Sequence, residues 1–268
     1  MQNASQAIAL EYSQRADAYA RYWAPVIHPM ADPLLEGMLL ADSKRILDVG
    51  TGNGGLWPAV HHAAPRAKLW GLDRAHGMLQ AGGAALRGRV AVMDAQRLGV
   101  RPGTFDVALL MFVLFHLPDP VAALREVHAA LAPAGRLGLV VWGADPGLPG
   151  ASIWTDELDR AGAGPDPRDP SVMRQASMDS PEKVADLLRH GGFVPDRLWT
   201  RSFAHEWTLA TLFAAQSHCG MPSRRLERLD QAARQTCEAR VQARLQGLSV
   251  AELVYEVDVV YGIAHRPA

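Results

Sequence analysis

Short apolar segments alternate with helical patterns through the first half of the chain, and this alternation constrains the fold most strongly. The segments are RILDVG, AKLWGLD, GRVAVMD, TFDVALLMFVLF and RLGLVVWG. Short apolar runs of this kind suit strands that are buried on both faces of a parallel sheet. The helical patterns between them predict right-handed crossovers from strand to strand. We therefore expect an α/β fold built on a mostly parallel sheet.

The first three of these segments lead into carboxylates, Asp48, Asp73 and Asp94. In open α/β sheets, ligands bind at the carboxyl ends of the strands, near the point where the strand order reverses. The sequence therefore predicts that these three side chains converge on one crevice.

The segment ILDVGTGNGG fits two cofactor fingerprints. Gly50-x-Gly52-x-x-Gly55 matches a dinucleotide loop, and Asp48-x-Gly50-x-Gly52-x-Gly54 matches a loop that binds S-adenosylmethionine (SAM). A carboxylate 4 Å from a pyrophosphate charge would cost about 4 kcal/mol at an effective dielectric near 20. The ammonium of SAM reverses the sign, so Asp48 favours SAM. Capping of the following helix is the structural alternative for Asp48.

The remaining chain predicts one domain whose outer parts surround the crevice. Residues 1–42 are predicted to form a helical lid and residues 43–143 the cofactor-binding core. Residues 144–180 are rich in Pro, Gly and Asp and predict a long surface segment. Two further strands follow, separated by helical patterns, and we expect 144–180 and 205–250 to roof the substrate pocket. The 49% hydrophobic content suits one sizeable core.

Charge and cysteine usage exclude several classes of site. The net charge is −1, without blocks of like charge, so no nucleic-acid or membrane surface is expected. Cys219 and Cys237 form no C-x-x-C pair, and we expect free thiols and no metal site. No stretch approaches the roughly 18 apolar residues of a membrane span. These features predict a soluble, cytoplasmic protein, and they leave open whether it is a monomer or a homodimer.

Five motifs in order together resemble class I SAM-dependent methyltransferases, in particular the small-molecule group of ubiquinone/menaquinone-type and natural-product enzymes. They are ILDVGTGNG, GLDRAHGMLQAG, VMDAQRL, FDVALLMFVLFHLPDP and LREVHAALAPAGRLGLVVW. In the second motif, Ala75 stands where the family pattern has Ser. The resemblance implies a Rossmann-like sheet of seven strands, mostly parallel, with an antiparallel C-terminal hairpin, helices on both faces and a helical lid.

The resemblance also implies the cofactor, SAM, with S-adenosylhomocysteine (SAH) as its product, and the residues that hold it. Asp48 and the glycine loop would hold the methionine end, Asp73 the ribose, and Asp94 the adenine. Tyr19 would cover the methionine end, unless it only packs the lid. The full set of expected cofactor residues is Tyr19, Asp48, Gly50, Gly52, Gly54, Asp73, Met78, Asp94, Ala95, Leu110 and Met111.

His116, just after the fourth strand, is the expected catalytic base, because a weakly acidic nucleophile needs one and histidine titrates near neutrality. Family members often carry two adjacent histidines there, whereas this chain has Phe115 first. A purely structural His116 is the alternative. Substrate contacts are expected from the aromatic residues Trp23, Phe112, Phe115 and Trp142.

The expected activity is methyl transfer from SAM to an oxygen, nitrogen or carbon atom of a small metabolite. The apolar LLMFVLF replaces the Asn/Asp-Pro-Pro-Tyr/Phe signature of many enzymes that methylate amino groups of nucleic acids and proteins. Two alternatives remain open: a SAM-binding enzyme without methyl transfer, such as a cyclase, and an NAD-dependent oxidoreductase.

Overall fold

A seven-stranded sheet forms the centre of the molecule. The computed structural model describes residues 2–268, with side chains from Ala4 onward, so Met1 of the predicted lid lies outside the described residues. The strands are β1 (Arg45–Val49), β2 (Lys68–Asp73), β3 (Val90–Val92), β4 (Phe105–Met111), β5 (Leu131–Trp142), β6 (Val194–Glu206) and β7 (Val254–His265).

The strand order is β3-β2-β1-β4-β5-β7-β6. The first five strands are parallel, and β7 runs antiparallel to both β5 and β6. The predicted Rossmann-like sheet with an antiparallel C-terminal hairpin is therefore confirmed. The order reverses between β1 and β4, where Asp48 pairs with Leu109, and this reversal opens a crevice at the carboxyl ends of the strands.

Twelve α-helices surround the sheet in the part of the chain that the structure describes. They are α1 (Gln2–Gln14), α2 (Ala16–Ala18), α3 (Ala24–Ile27), α4 (Asp32–Gly37), α5 (Trp57–Ala63), α6 (His76–Ala81), α7 (Pro120–Ala130), α8 (Ala151–Arg160), α9 (Pro181–His190), α10 (Leu209–His218), α11 (Gly220–Leu226) and α12 (Gln231–Leu245). A π-helical turn covers Tyr19–Trp23, and the side chain of Ser180 caps the start of α9. None of the described helices has the length and apolar character of a membrane span.

The prediction of a long surface segment over 144–180 is wrong for its first part, which forms α8. Trp154 and Leu158 of α8 are fully buried. Glu157 is buried beside them and accepts hydrogen bonds from Arg160 at 3.0 Å and Arg244 at 2.9 Å. The flanking Pro and Gly residues concealed this helix, because they break any periodic pattern longer than ten residues.

The N-terminal helix α1 lies directly against α6. A Cβ atom at Gly77 would lie 2.4 Å from the carbonyl oxygen of Ser13, so only glycine allows this approach. The Gly77 N–H donates to Ser13 Oγ at 3.1 Å. This close contact holds α1 over the carboxyl ends of the strands.

Candidate functional site

A cavity of about 800 Å³ lies at the carboxyl ends of β1, β2, β4 and β5. Its volume is within the range of about 300–1,000 Å³ that is common for small-molecule sites. The sequence-predicted residues that line it are Tyr19, Trp23, Gly50, Gly52, Asp73, Met78, Asp94, Ala95, Met111, Phe112, Phe115, His116 and Trp142. The structure therefore brings the predicted cofactor and substrate residues to one continuous space.

Asp73 organises the glycine loop at the end of β2. Its Oδ2 accepts a hydrogen bond from Gly52 N at 2.8 Å, and its Oδ1 accepts one from Ala75 N at 2.7 Å. A carboxylate has about four acceptor positions, so both oxygens keep capacity for a ligand hydroxyl. Asp73 thus shapes the loop and still faces the cavity.

Three predicted cofactor residues lie outside the cavity lining: Asp48, Gly54 and Leu110. At Gly54, with φ of +71°, a Cβ would lie 2.4 Å from Leu86, so this glycine serves packing against the turn at Gly83–Leu86. Leu110 is fully buried and Met111 lines the cavity, because neighbouring strand residues point to opposite faces.

Asp48 is 2% exposed and bonded within the loop. Thr51 Oγ1 donates to its Oδ2 at 2.7 Å, and Trp57 Nε1 donates to the same oxygen at 3.1 Å. Burial raises the pKa of Asp48 to about 6, although the bonds from Thr51 and Trp57 oppose this shift. A buried carboxylate is costly to ionise without a nearby cation. The loop therefore disfavours an anionic ligand and favours a cationic one.

Replacing Asp48 with Asn should change how stability depends on pH. Because the pKa of Asp48 is higher in the folded chain than its ordinary value of 3.8, its contribution to stability is present below about pH 4 and is lost as pH rises through about 6. Relative to Asp48→Asn, the wild type should lose about 3 kcal/mol of unfolding free energy between pH 4 and 7. Chemical denaturation at several pH values measures this difference.

The exposed Asp42→Asn serves as the control in the same titration. A pH dependence of the same size in Asp42→Asn would show that the effect does not come from the burial of Asp48. A pH-independent difference for Asp48→Asn would contradict the raised pKa of Asp48.

Asp94 is held by groups on two sides. Arg74 donates to its Oδ2, and Gln96 N donates to its Oδ1 at 3.0 Å. Arg74 itself lines the cavity, and the sequence analysis did not single it out. The predicted adenine-reading carboxylate is therefore already half of an ion pair.

Aromatic rings form the wall at the ends of β4 and β5. Trp23 lies 6.4 Å from both Trp142 and Trp207 between ring centroids, and Phe112 lies 4.6 Å from Trp142. Phe112 has a φ of +60°, a strained backbone conformation for a non-glycine residue. Tyr255, from β7, also lines the cavity and was missed by the sequence analysis. These faces suit a planar, partly apolar molecule.

His116 forms a hydrogen bond with Tyr12 of α1. The distance between Tyr12 Oη and His116 Nε2 is 2.9 Å; His116 Nδ1 is buried and has no partner within 3.5 Å among the described residues, although the backbone of Val172 lies near the ring. Burial, together with the charges of Arg168 and Arg224, lowers the pKa of His116 to about 3. The histidine is therefore neutral at pH 7. Its partner Tyr12 could have been suspected only from its aromatic character in the lid.

A network of arginines and carboxylates closes the cavity above His116. Arg224 donates to Asp166 at 2.8 Å and to Glu11 at 2.8 Å, while Arg168 donates to Asp166 at 3.0 Å. Glu11 also accepts from Arg15 at 2.9 Å. This network connects α1, α11 and the segment after α8, and the sequence analysis missed it.

Comparison with known proteins agrees with this geometry. Residues 47–139 match the family described as a methyltransferase domain. Over 141 residues the chain is 33% identical to demethylspheroidene O-methyltransferase of Rhodobacter capsulatus, covering 48% of this chain and 33% of that protein. It is 29% identical to nocamycin O-methyltransferase of Saccharothrix syringae, covering 69% of this chain and 72% of that protein.

Residues 47–139 are therefore similar to a methyltransferase domain, and the chain spans about a third to three quarters of the length of these relatives. Among solved structures, the cyclase SpnF has the same fold, with a TM-score of 0.56 and 20% identity, covering 92% of this chain and 83% of that one. At this identity the likeness shows the fold alone.

The residues of this methyltransferase domain fit the cofactor that the family implies. Gly50 and Gly52 adopt φ angles of +77° and +56°, and a Cβ at Gly52 would lie 3.1 Å from Met78 Cε beside the cavity. Glycine therefore leaves room for a ligand against the backbone. Asp73 offers acceptor oxygens to hydroxyl groups, and the buried Asp48 favours positive charge nearby. These features suit the ribose and the cationic methionine end of SAM.

Proposed function

We propose that this chain transfers a methyl group from SAM to an oxygen, nitrogen or carbon atom of a small metabolite. The supporting observation is the continuous cavity that joins the glycine loop and Asp73 to the aromatic wall and His116. The chain spans only a third of the length of its demethylspheroidene relative, so the activity rests on this cavity as well as on the family.

In this proposal, Gly50, Gly52 and Asp73 hold the cofactor, with Asp94, Ala95 and Met78 around the adenosine. Asp48 acts from below the loop through its charge. SAM supplies a methyl group on a sulfonium sulfur. The lid consists of residues 1–42, and the roof consists of residues 144–180 and 205–250. Closure of the lid and roof over the cavity would exclude water and align the acceptor with the methyl group.

His116 is proposed to contact the acceptor of the methyl group, and Tyr12 to hold the orientation of its ring. Burial and the charges of Arg168 and Arg224 lower the pKa of His116, so the ring is neutral at pH 7 and is a weaker base than an ordinary histidine. His116 nevertheless lines the cavity, and in this proposal its ring contacts a polar group of the substrate.

The proposal is tested by calorimetry with SAM and NAD, and by incubation with methyl-labelled SAM and a panel of small acceptors. Binding of SAM without binding of NAD, followed by transfer of label, is expected. Binding of NAD alone would overturn the proposal. Binding of SAM with conversion of a substrate but no transfer of label would favour a cyclase-type enzyme.

Replacing His116 with Ala should lower kcat by about 100-fold, the range of one positioned proton-transfer or polar group. The affinity for SAM should change less than about twofold, because the Tyr12–His116 pair lies at the substrate end of the cavity. Steady-state kinetics and SAM calorimetry measure the two effects. His62→Ala, on the exposed face of α5, is the matched control. Unchanged turnover in His116→Ala would make the residue structural.

A further inference from the structure

The substrate end of the cavity is lined by cationic side chains. Arg168, Arg174 and Arg224 all line it, and the charges of Arg168 and Arg224 act on both His116 and Tyr12. The backbone of Arg174 is fixed next to the segment that carries His116, since its N–H donates to the carbonyl of Phe115 at 3.0 Å. The hydrogen bonds of these three arginines show which donors are used by the protein itself.

Arg224 has a structural role. Its Nε and Nη2 donate to Asp166 at 3.0 and 2.8 Å, and its Nη1 donates to Glu11 at 2.8 Å. Arg168 uses Nε and Nη2 on Asp166, while its Nη1 has no partner in the described chain. All three guanidinium nitrogens of Arg224 are therefore hydrogen-bonded within the ion-pair network, whereas Nη1 of Arg168 is not.

Arg174 differs from the other arginines that line the cavity. Its Nη1 donates to the carbonyl of Pro118 at 3.0 Å, but Nε is buried without a partner, and no carboxylate of residues 4–268 pairs with it. By contrast, Arg15, Arg74, Arg168 and Arg224 each pair with a carboxylate. Arg174 is therefore an unneutralised cation with unused donors beside the reacting end of the cavity.

The acidic residues at this end do not neutralise Arg174. Asp179 lines the cavity but is paired with Lys183 at 2.6 Å, and Asp145 accepts from Gly147 N at 2.8 Å. Glu11 is shared between Arg15 and Arg224. Asp179 and Glu11 are therefore committed to other cations, while Asp145 lies beside Tyr255 and forms no ion pair with Arg174.

We propose that Arg174, assisted by Nη1 of Arg168, binds an acidic oxygen group of the substrate, either a carboxylate or an ionised phenol or enol. Guanidinium groups bind planar oxyanions through paired N–H donors, and the aromatic wall would hold the planar body of such a molecule. Amines are disfavoured there, because an ammonium would meet Arg174 and Arg168. The weak basicity of His116 agrees with an acceptor that is acidic by itself. This inference rests on the proposed function and specifies its substrate class.

The experiment uses the protein saturated with SAH and four aromatic probes measured by calorimetry. The probes are 2-naphthoate, its neutral amide, 4-nitrophenolate and 2-(aminomethyl)naphthalene. We expect 2-naphthoate or 4-nitrophenolate to bind at least tenfold more tightly than the amide and the amine. The stronger of these two probes distinguishes a carboxylate from an ionised hydroxyl.

Arg174→Gln should reduce the preference for the acidic probe to less than about twofold, and Arg174→Lys, which keeps the charge, should retain part of it. Arg125→Gln, exposed on α7, should leave the preference unchanged. SAH affinity in each variant reports an intact cofactor site.

The inference is overturned if no acidic probe binds, if the amide or amine binds as tightly, or if Arg174→Gln keeps the preference. These outcomes differ from failure of the proposed function, which would appear as absent binding of SAM and SAH in the wild type.

Discussion

Replacing Asp73 with Ala is expected to weaken SAM binding by about 100-fold, or about 3 kcal/mol. The carboxylate is proposed to accept the ribose hydroxyls, and charged hydrogen bonds contribute about 1.5–3 kcal/mol each. The variant also leaves the N–H groups of Gly52 and Ala75 without their acceptor, so the glycine loop loses its anchor. Calorimetric titration with SAM measures the dissociation constant.

Two controls separate the ribose contact from the loop anchor. Asp73→Asn keeps one acceptor oxygen and should lose about tenfold in affinity. Asp42→Ala, an exposed carboxylate remote from the cavity, should bind as the wild type does. A dissociation constant for Asp73→Ala equal to that of the wild type would refute the proposed ribose contact.

Replacing Gly50 with Ala is expected to destabilise the fold by about 3 kcal/mol. The φ of +77° costs a side chain about 1–2 kcal/mol, and the new Cβ would lie 2.2 Å from Val113 Cγ2. Overpacking of this kind adds about 1–3 kcal/mol. Thermal unfolding should show a Tm lowered by about 6–12 °C.

Gly103→Ala is the matched control for Gly50→Ala. Gly103 has a similar φ of +65°, but no atom of the described residues lies within 4 Å of the position that a Cβ would take there. Gly103→Ala should lower the free energy of unfolding by only about 1 kcal/mol, the cost of its backbone conformation. This corresponds to a Tm lowered by about 2–4 °C. Equal losses of stability in the two variants would show that the contact of the new Cβ with Val113 does not contribute to the destabilisation.

Several parts of the fold follow directly from local sequence patterns. The apolar runs that lead into Asp48 and Asp73 predicted β1 and β2, and the helical patterns between the runs predicted the crossovers. Local periodicity and capping preferences act between residues close in the chain, so they are readable without knowing the fold. The helix around Trp154 escaped notice because Pro and Gly surround it on both sides.

The cofactor end of the candidate site could be predicted from the sequence better than the substrate end. The cofactor end depends on strand termini, which the sheet places side by side, so Asp73 and Asp94 were expected together. At Asp48, however, the expectation was of a residue near the ligand, whereas the structure places it beneath the loop, bonded to Thr51 and Trp57. Burial of one strand residue depends on what packs over it.

By itself, the sequence determined the sheet, the glycine loop and the line of acidic residues along the strand ends. Only the tertiary structure decided what faces the substrate: Tyr12 meets His116 across 104 positions, and Arg174 lies next to the segment that carries the same histidine, without a carboxylate partner among the described residues. The physical reason is that the roof is made of contacts between distant segments. Such contacts depend on how helices dock on the finished sheet, and no local periodicity records them.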